Sequence, residues 1–284
     1  MSKIDLASPV VKWVGGKRQL LERLMPLFPE TYTSYCEPFI GGGAVLFALQ
    51  PENVIINDIN SELIGFYQAI KDNVDALIKR LEQFENTKEC FYDVRGWDRN
   101  AAVYNELTDI DKAARVIFLN KTCYNGLYRV NSAGEFNTPF GRYKKPNIVN
   151  ESTLRAVNKY FNTANVTILN TSYSEAVQGL PENSFVYLDP PYDPISVTAS
   201  FTDYNAGGFS REDQIALRDC CRNLDAAGIK FMLSNSATEF IQDIYSDFNI
   251  TIVPAKRAIN SVGSKRGCVD EVVAVSYTHL TLPT

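Results

Sequence analysis

The stretch FVYLDPPY, Phe185–Tyr192, predicts a buried strand followed by a cluster of polar and aromatic groups. Its first four residues, Phe185–Leu188, form a continuous apolar run of β-favouring residues, which is typical of a parallel strand covered on both faces. Asp189 follows directly, and two prolines then restrict the backbone. The groups after Leu188 are therefore expected just past the carboxyl end of this strand.

The groups that follow the strand suit a flat ligand that carries an exocyclic amine. The Asp189 carboxylate accepts hydrogen bonds, and the carbonyls of Pro190 and Pro191 are acceptors that no local turn bond can use. The Tyr192 ring can stack on the plane of such a ligand. The alternative is a proline-rich turn that only closes a strand, and a single D-P-P-Y sequence does not exclude it.

Composition predicts an ordinary globular chain whose core has no histidine-based active site. The 284 residues are 45% hydrophobic and 21% charged, which fits one large domain or a core with an insert. Six scattered cysteines without a C-x-x-C pair favour reduced thiols. We expect neither a secretory signal nor a membrane span, because Asp5 lies near the N-terminus and no apolar run approaches about 20 residues. His279 is the single histidine, which leaves few ligands for a metal.

Charge is distributed unevenly along the chain. The net charge is −5, yet residues 112–159 contain nine Lys and Arg against two Glu. A second basic patch consists of Lys256, Arg257, Lys265 and Arg266. Such separation is typical of a face that binds a polyanion, and a solvated surface loop is the alternative.

The motif KWVGGK, Lys12–Lys17, contains a Gly-Gly bend between an aromatic and a basic residue. It lacks the first glycine and the final Ser or Thr of a phosphate loop, so that function is not expected. Trp13 and Lys17 could instead line a pocket for a ligand with a ring and a carboxylate, and a plain helix entry is the alternative. A helix is predicted from about Gln19 to Leu27.

The stretch Tyr35–Leu49 predicts a strand, a glycine turn and a helix that begins at Ala44. Glycine lets the backbone approach a ligand closely, and a helix N-terminus offers free N–H groups. Leu46 stands where the dinucleotide fingerprint has its third glycine, so a pyrophosphate is not the expected ligand. The next strand, residues 54–58, ends in Asp58, and a carboxylate at this place in doubly wound folds binds ribose hydroxyls. These features together predict a nucleoside-binding half-fold.

Residues 60–165 interrupt the alternation of strands and helices. Helices are expected at 61–71, 74–83 and 109–122. The loop that follows contains YNGLYRVN and FNTPFGRYKK, in which Arg, Asn and aromatic residues alternate with Gly and Pro. These residue types suit base-edge contacts and stacking, while Lys and Arg hold phosphates. We interpret the segment 61–159 as a target-recognition subdomain.

The sheet is expected to resume after this insert, with strands at residues 166–169, 185–189, 229–234, 250–254 and 271–276. The polar loop 194–208, which contains Phe201 and Tyr204, is long enough to be a lid. A helix that begins after Ser210 has a capping box in which Asp213 replaces Glu. Residues 278–284 fit neither strand nor helix and are interpreted as a non-native tail.

Seven motifs, in this order, closely resemble those of Dam-type, α-group DNA adenine-N6 methyltransferases: KWVGGK, EPFIGGG, INDIN, YNGLYRVN, FNTPFGRYKKP, DPPY and LSNS. The resemblance runs from about Lys12 to Ser276. It implies the α/β fold of a class I Rossmann-like methyltransferase, with a mixed, mostly parallel seven-stranded sheet and a helical DNA-recognition insert. It also implies S-adenosyl-L-methionine as cofactor and double-stranded DNA as partner, without a metal or a membrane.

The resemblance assigns roles to individual residues. The catalytic set that it implies is Asp189, Pro190, Pro191 and Tyr192. The cofactor contacts that it implies are Trp13, Lys17, Phe39, Gly41, Gly43, Asp58 and Asp189. Positions that meet DNA are matched by Lys12, Tyr124, Asn125, Leu127, Arg129, Pro139 and Arg142, and we add Lys144 from the basic loop. Tyr128 occupies a position at which relatives differ.

The implied reaction is transfer of the cofactor's methyl group to the N6 amino group of a flipped adenine in a short duplex site, with GATC as the family's common target. The catalytic domain would comprise residues 1–60 and 160–277. We expect a cytoplasmic protein, bacterial or phage-encoded, that is associated with the nucleoid and is a monomer in solution.

Three alternatives stay open at this point. Cytosine-N4 methyltransferases use the same kind of socket, but they more often have Ser at the position of Asp189. Enzymes that methylate RNA or a glutamine amide share x-P-P-Y but would not need the basic insert. A DNA-binding regulator with a vestigial methyltransferase fold is the alternative from another class.

Overall fold

The computed structural model describes residues 4–195, 208–256 and 268–278. The chain folds as two compact units. Unit 1 comprises residues 1–16 and 40–171, and unit 2 comprises residues 17–39 and 172–284.

The described residues contain a seven-stranded sheet of order β3-β2-β1-β4-β5-β7-β6. Its strands are β1 Tyr35–Glu37, β2 Asn53–Asn57, β3 Asn165–Leu169, β4 Phe185–Leu188, β5 Lys230–Ser236, β6 Asn249–Lys256 and β7 Cys268–Val275. The pairs β2–β3, β1–β4 and β4–β5 are parallel, whereas β7 runs antiparallel to both β5 and β6. The predicted α/β fold with a mixed, mostly parallel sheet is confirmed.

Strand β4 has the bounds that the sequence predicted, and all four of its side chains are buried. Tyr35 pairs with Phe185 on one side, and Lys230 pairs with Phe185 on the other. Central strands of parallel sheets are typically covered on both faces, and their side chains are then apolar on both. This position explains why FVYL shows no alternation.

The described α-helices are α1 Leu21–Leu24, α2 Ala44–Leu49, α3 Ser61–Leu81, α4 Lys88–Gly96, α5 Ala101–Glu106, α6 Asp109–Thr122, α7 Glu151–Thr163, α8 Tyr173–Ala176, α9 Arg211–Ala226 and α10 Glu239–Ile244. The bounds of α2 and α6 agree with the prediction. Helices α4, α5, α7, α8 and α10 were not predicted. Three of these have only four to six residues, which is too short for a clear apolar period.

Unit 1 confirms the expected helical segment after β2. Asn60 caps α3 by accepting a hydrogen bond from the Leu63 N–H at 3.0 Å, and a Thr108–Asp111 capping box starts α6. The two helices predicted at 61–71 and 74–83 lie within α3, which is kinked at Asn73, whose φ of −142° is not helical, so the predicted break between them is confirmed. Helix α3 packs against α6 and α7 through a buried apolar face.

The helix predicted from Gln19 to Leu27 is wrong as a continuous element. Two 3-10 turns, Lys17–Gln19 and Met25–Leu27, flank the four-residue α1. Pro26 lacks an N–H and so cannot continue the hydrogen-bond ladder of α1.

In unit 2, helix α9 begins at the predicted capping box. The Ser210 hydroxyl accepts from the Asp213 N–H at 3.2 Å, and the Asp213 carboxylate accepts from the Ser210 N–H at 2.8 Å. The helix ends at Ala226, two residues before Gly228, whose φ of +71° lies in the left-handed region that glycine adopts easily. Strand β5 follows at once.

Some predicted features lie outside the described residues. They are most of the proposed lid with Phe201 and Tyr204, the basic residues Arg257, Lys265 and Arg266, and the tail from 279 onward with His279. Within the described part, Cys36, Cys90, Cys123, Cys220 and Cys221 are free thiols. No helix found there is long and apolar enough to cross a membrane.

Candidate active site and nucleic-acid surface

The carboxylate that follows β4 is ion-paired. Asp189 Oδ1 lies 2.6 Å from Nζ of Lys17, whose side chain is only 3% exposed. Burial raises the pKa of Asp189, while the charge and hydrogen bond of Lys17 act in the opposite direction. The lysine therefore favours the ionised carboxylate, which can only accept hydrogen bonds.

The Tyr192 side chain is fixed at both its ring and its hydroxyl. The hydroxyl donates a hydrogen bond to Glu271 Oε2 on β7 at 2.8 Å, and the Lys17 ammonium lies 4.7 Å from the ring centroid. Burial and then the negative charges of Asp189 and Glu271 raise the pKa of Tyr192 well above its usual value. Tyr192 is thus a neutral aromatic group held beside Asp189.

The two proline carbonyls are not equivalent, which corrects one expectation. Pro191 O accepts a hydrogen bond from Nε2 of Gln214 on α9 at 2.8 Å. For Pro190 O, the described residues supply no hydrogen-bond donor. Only Pro190 therefore fits the predicted role of an acceptor left for a ligand, since Gln214 uses the other carbonyl.

A buried amide network supports this turn. Asn235 Oδ1 on β5 accepts from the Asp193 N–H at 3.0 Å, and Asn235 Nδ2 donates to Gln214 Oε1 at 3.0 Å. Gln214 and Asn235 are both fully buried. One network of side-chain amides thus holds the backbone at Pro191 and at Asp193.

The Asp193 carboxylate extends the same network. It accepts from Arg211 Nε at 3.1 Å and from the Thr238 hydroxyl at 2.8 Å. The sequence predicts no role for Gln214 or Asp193, and Asn235 is singled out only as part of the LSNS motif. A buried polar residue on the apolar face of α9 was the available signal for Gln214.

Phe39 lies in an aromatic cluster of unit 2. Its ring stacks on Tyr173 with centroids 5.4 Å apart, and Phe209 meets it edge-on at 6.1 Å. All three side chains are partly exposed. A half-exposed aromatic cluster offers a flat surface to a ring-containing ligand.

In unit 1, the glycine turn is tied to Asp58. The Gly41 N–H donates to Asp58 Oδ2 at 3.1 Å, and the Tyr67 hydroxyl donates to Gly41 O at 2.8 Å. Burial raises the pKa of Asp58, and hydrogen bonds from the N–H groups of Asn60 and Gly41 oppose this. The predicted carboxylate thus lies directly against the predicted glycine turn.

At Gly41 and Gly43, both the backbone conformation and the neighbouring side chains favour glycine. Gly41 and Gly43 have φ values of +46° and +70°. A Cβ atom on Gly43 would lie 2.8 Å from the Phe47 ring, and one on Gly41 would lie 3.0 Å from Cδ1 of Trp13. Trp13 therefore packs directly against the turn.

A buried asparagine that the sequence did not single out holds Lys12. Asn120, at the end of α6, accepts from the Lys12 N–H at 2.8 Å and donates to Lys12 O at 2.8 Å and to Gly126 O at 3.1 Å. The Lys12 side chain packs on Gly126, where a Cβ would lie 2.7 Å from its Cδ. Asn120 thus connects Lys12 of the KWVGGK motif to Gly126 at the start of the loop that follows α6.

The structure brings several predicted DNA contacts to this end of α6. The Tyr124 N–H donates to Pro139 O at 2.8 Å, and both residues are exposed. Asn125 and Arg142 are exposed and have φ values of +58° and +56°, which are uncommon for residues other than glycine. Lys144 is also exposed, while Leu127 is partly buried.

Arg129 lies on a short hairpin in the same loop. Its Nε donates to Asn137 Oδ1 at 2.6 Å, and the Asn137 N–H donates to Arg129 O at 2.9 Å. The Arg129 residue is exposed. The contact at Nε orients the guanidinium, whose remaining N–H groups suit a bidentate acceptor.

Not every basic residue of 112–159 belongs to this surface. Arg115 is 1% exposed and pairs with Asp98 at 2.5 Å and with Glu62 at 3.4 Å. Arg155 pairs with Asp75 and Glu151. The charge count therefore overstated the basic face, because sequence alone does not distinguish ion-paired arginines from free cations.

The described residues contain no group of His, Cys, Asp or Glu side chains that could hold a metal ion.

The sheet, the D-P-P-Y turn after β4 and the glycine turn after β1 define a Rossmann-like methyltransferase. The family described as D12 class N6 adenine-specific DNA methyltransferase matches residues 13–259. The chain belongs to this family. The methyl donor that a methyltransferase family implies is S-adenosylmethionine.

Similar proteins cover almost the whole chain. The type II methyltransferase M1.LlaDCHI of Lactococcus lactis subsp. cremoris is 44% identical, covering 97% of each chain. The type II methyltransferase M.MjaIII of Methanocaldococcus jannaschii is 44% identical, covering 91% of this chain and 94% of its own. The DNA adenine methylase of Escherichia coli is 33% identical, covering 93% of this chain and 94% of its own.

Proposed function

We propose that the protein transfers a methyl group from S-adenosylmethionine to the N6 amino group of a flipped adenine in a short duplex site, with GATC as the first candidate. The observation that carries this proposal is the pair of acceptors after β4. The Asp189 carboxylate and the Pro190 carbonyl follow each other directly, and the Tyr192 ring is held beside Asp189.

These acceptors address the chemistry of the adenine amine, whose lone pair is delocalised into the ring. Asp189 would accept a hydrogen bond from one N–H group of the amine, and Pro190 O would accept one from the other. This favours a pyramidal amine and directs its lone pair away from both acceptors. Because Lys17 favours the ionised form of Asp189, the carboxylate can also stabilise the positive charge that develops on the amine.

The residues present fit the implied cofactor. In the glycine turn, a Cβ on Gly43 or Gly41 would meet neighbouring side chains, and the Asp58 carboxylate lies against this turn. Asp58 would hold the ribose hydroxyls, and Trp13, Lys17 and Phe39 are the other proposed contacts. When bound, S-adenosylmethionine supplies a methyl group activated by a positively charged sulfonium.

The target adenine has to leave the duplex before it can reach Asp189. Flipping costs a few kcal/mol, and stacking on Tyr192 would offset about 1–3 kcal/mol of that cost. The Tyr192 hydroxyl remains bonded to Glu271, which keeps the ring in place for the incoming base. Tyr192 is therefore assigned the role of stacking surface.

Double-stranded DNA is the proposed partner, and the protein is proposed to be a monomer in solution. The exposed surface that supports this comprises Lys12, Tyr124, Asn125, Pro139, Arg142 and Lys144, with Arg129 on the adjacent hairpin. Lys and Arg side chains would position phosphates, while Arg129 could read guanine O6 and N7.

The proposed reaction is tested by transfer of a tritiated methyl group to duplexes with GATC, with one-base variants of GATC, and with no adenine. We expect label in the GATC duplex, located on adenine N6 after digestion. Single-molecule sequencing of DNA from a methylase-free host then gives the full recognition site. Label in another adenine-containing site would change only the proposed recognition sequence. Label on cytosine would change the proposed target base. DNA binding without methyl transfer would support a DNA-binding regulator with a vestigial methyltransferase fold.

A further inference from the structure

Tyr128 joins the recognition hairpin to the cofactor motif within unit 1. It immediately precedes Arg129, and its ring stacks on the Trp13 indole with centroids 4.7 Å apart and planes 25° apart. Its hydroxyl donates to Glu62 Oε2 on α3 at 2.7 Å. The ring is therefore fixed at one end by a carboxylate and on one face by the tryptophan.

The same indole contacts the glycine turn. A Cβ built on Gly41 would lie 3.0 Å from Trp13 Cδ1, and the Gly41 N–H is bonded to Asp58. Trp13 thus touches both the turn proposed to bind the cofactor and the side chain that precedes the proposed base-reading arginine. A displacement of the indole on either side must be accommodated on the other, because packed side chains do not deform freely.

The hairpin is tied to the same cluster through its second strand. The Phe136 N–H donates to Asp98 Oδ2 at 2.7 Å, and the same oxygen lies 2.5 Å from Nη2 of Arg115. Arg115 in turn pairs with Glu62, the acceptor of the Tyr128 hydroxyl. The Phe136 ring also meets the Tyr128 ring edge-on at 5.5 Å.

We propose that Tyr128 is a positioning residue that couples occupation of the cofactor site to DNA recognition by the hairpin. This inference rests on the proposed function, in which Trp13 contacts the cofactor and Arg129 contacts DNA. Linkage requires the coupling to be reciprocal, so cofactor binding tightens DNA binding by the same factor as DNA tightens cofactor binding.

The test uses the fact that the chain has two tryptophans, Trp13 and Trp97. Trp97 packs on Phe84 at 5.9 Å, so Trp97→Phe keeps an aromatic ring and leaves Trp13 as the only tryptophan. In this parent, duplex affinity is measured with and without S-adenosylhomocysteine, which cannot donate a methyl group. We expect S-adenosylhomocysteine to tighten duplex binding by about fivefold or more.

Tyr128→Leu removes the stacking ring and the hydroxyl together. We expect it to lower the coupling ratio to about one, while Tyr128→Phe, which keeps the ring, gives an intermediate ratio. The matched control is Tyr92→Leu, which removes an exposed tyrosine from α4 and should keep the parent's ratio. If Tyr128 had a purely structural role, Tyr128→Leu would weaken duplex binding equally with and without S-adenosylhomocysteine, and the ratio of the two affinities would not change.

A ratio of one in the parent, or an unchanged ratio in Tyr128→Leu, overturns the proposal. If Tyr128→Leu does not fold, the fluorescence emission of Trp13 provides the test. Adding duplex without cofactor should change this emission in the parent, and the change should be smaller in Tyr128→Phe. An identical change in the two proteins overturns the proposal. Methyl transfer by the parent separates the two ideas. Transfer with an unaffected ratio defeats only the coupling, whereas no transfer to any duplex defeats the proposed function.

Discussion

Lys17 Nζ lies 2.6 Å from Asp189 Oδ1 and 4.7 Å from the centre of the Tyr192 ring. A single buried ammonium thus contacts both the carboxylate and the aromatic ring of the D-P-P-Y turn. Its charge partly compensates the cost of burying Asp189, and it links the KWVGGK motif to the D-P-P-Y turn.

Removing the Asp189 carboxylate should abolish methyl transfer and leave DNA binding nearly intact. In Asp189→Ala the amine loses one of its two proposed acceptors, and the developing positive charge loses its counter-ion. Initial rates with tritiated cofactor and duplex affinity by anisotropy check both statements. Turnover like that of the wild type in this variant would refute the role of Asp189.

Lys17→Met should move the acidic limb of the pH–rate profile to higher pH. Burial raises the pKa of Asp189 and Lys17 lowers it, so loss of the ammonium raises this pKa further. A protonated Asp189 has lost its negative charge and is a weaker acceptor for the adenine amine. In the variant, activity should therefore be lost at a higher pH than in the wild type as the solution is acidified. Rates at saturating cofactor separate this shift from weaker cofactor binding, and an unmoved limb contradicts the explanation.

Gln214→Leu should lower kcat by about tenfold or more while cofactor and duplex affinities change little. The substitution leaves Pro191 O and Asn235 Nδ2 without this partner in a buried site, at a cost of about 1–3 kcal/mol for each group. Because Gln214 fixes the turn from behind, the loss is expected in the chemical step. The exposed Gln242→Leu on α10 is the control, and equal kcat values in the two variants would argue against a positioning role.

Asn120→Leu should weaken duplex binding and lower the free energy of unfolding by about 3 kcal/mol, since one buried hydrogen bond to Gly126 and two partly buried ones to Lys12 are lost. Urea titration gives the stability, and anisotropy gives the affinity. The exposed Asn105→Leu on α5 provides the matched control. Duplex affinity equal to that of the control would show that the hydrogen bonds of Asn120 do not position Lys12 for contact with DNA.

Arg129→Ala should relax the sequence preference at one base pair, with a loss of about 1–3 kcal/mol of discrimination. Lys144→Ala is the comparison, because loss of a phosphate contact should weaken binding equally for all sequences and reduce the salt dependence. Transfer rates on GATC and its one-base variants distinguish the two patterns. A uniform loss in Arg129→Ala would assign this residue to a phosphate.

Local sequence predicted the elements whose signals are strong and short-range. Strand β4, helix α2, helix α6 and the capping box before α9 were all recovered, because apolar runs, glycine turns and caps depend on neighbouring residues. The helix predicted from Gln19 to Leu27 failed because Pro26 outweighs its apolar periodicity. Short helices such as α8 and α10 gave no period to detect.

The sequence by itself determined the family, the sheet class and the side chains that could do the chemistry, since the motifs fix residue types and their order. Only the tertiary structure decided which groups are engaged: Gln214 bonds Pro191 but not Pro190, Arg115 is buried against Asp98, and Tyr128 stacks on Trp13. The reason is physical. Each of these contacts joins residues more than 15 positions apart, and such pairings depend on how helices and strands pack rather than on any local pattern.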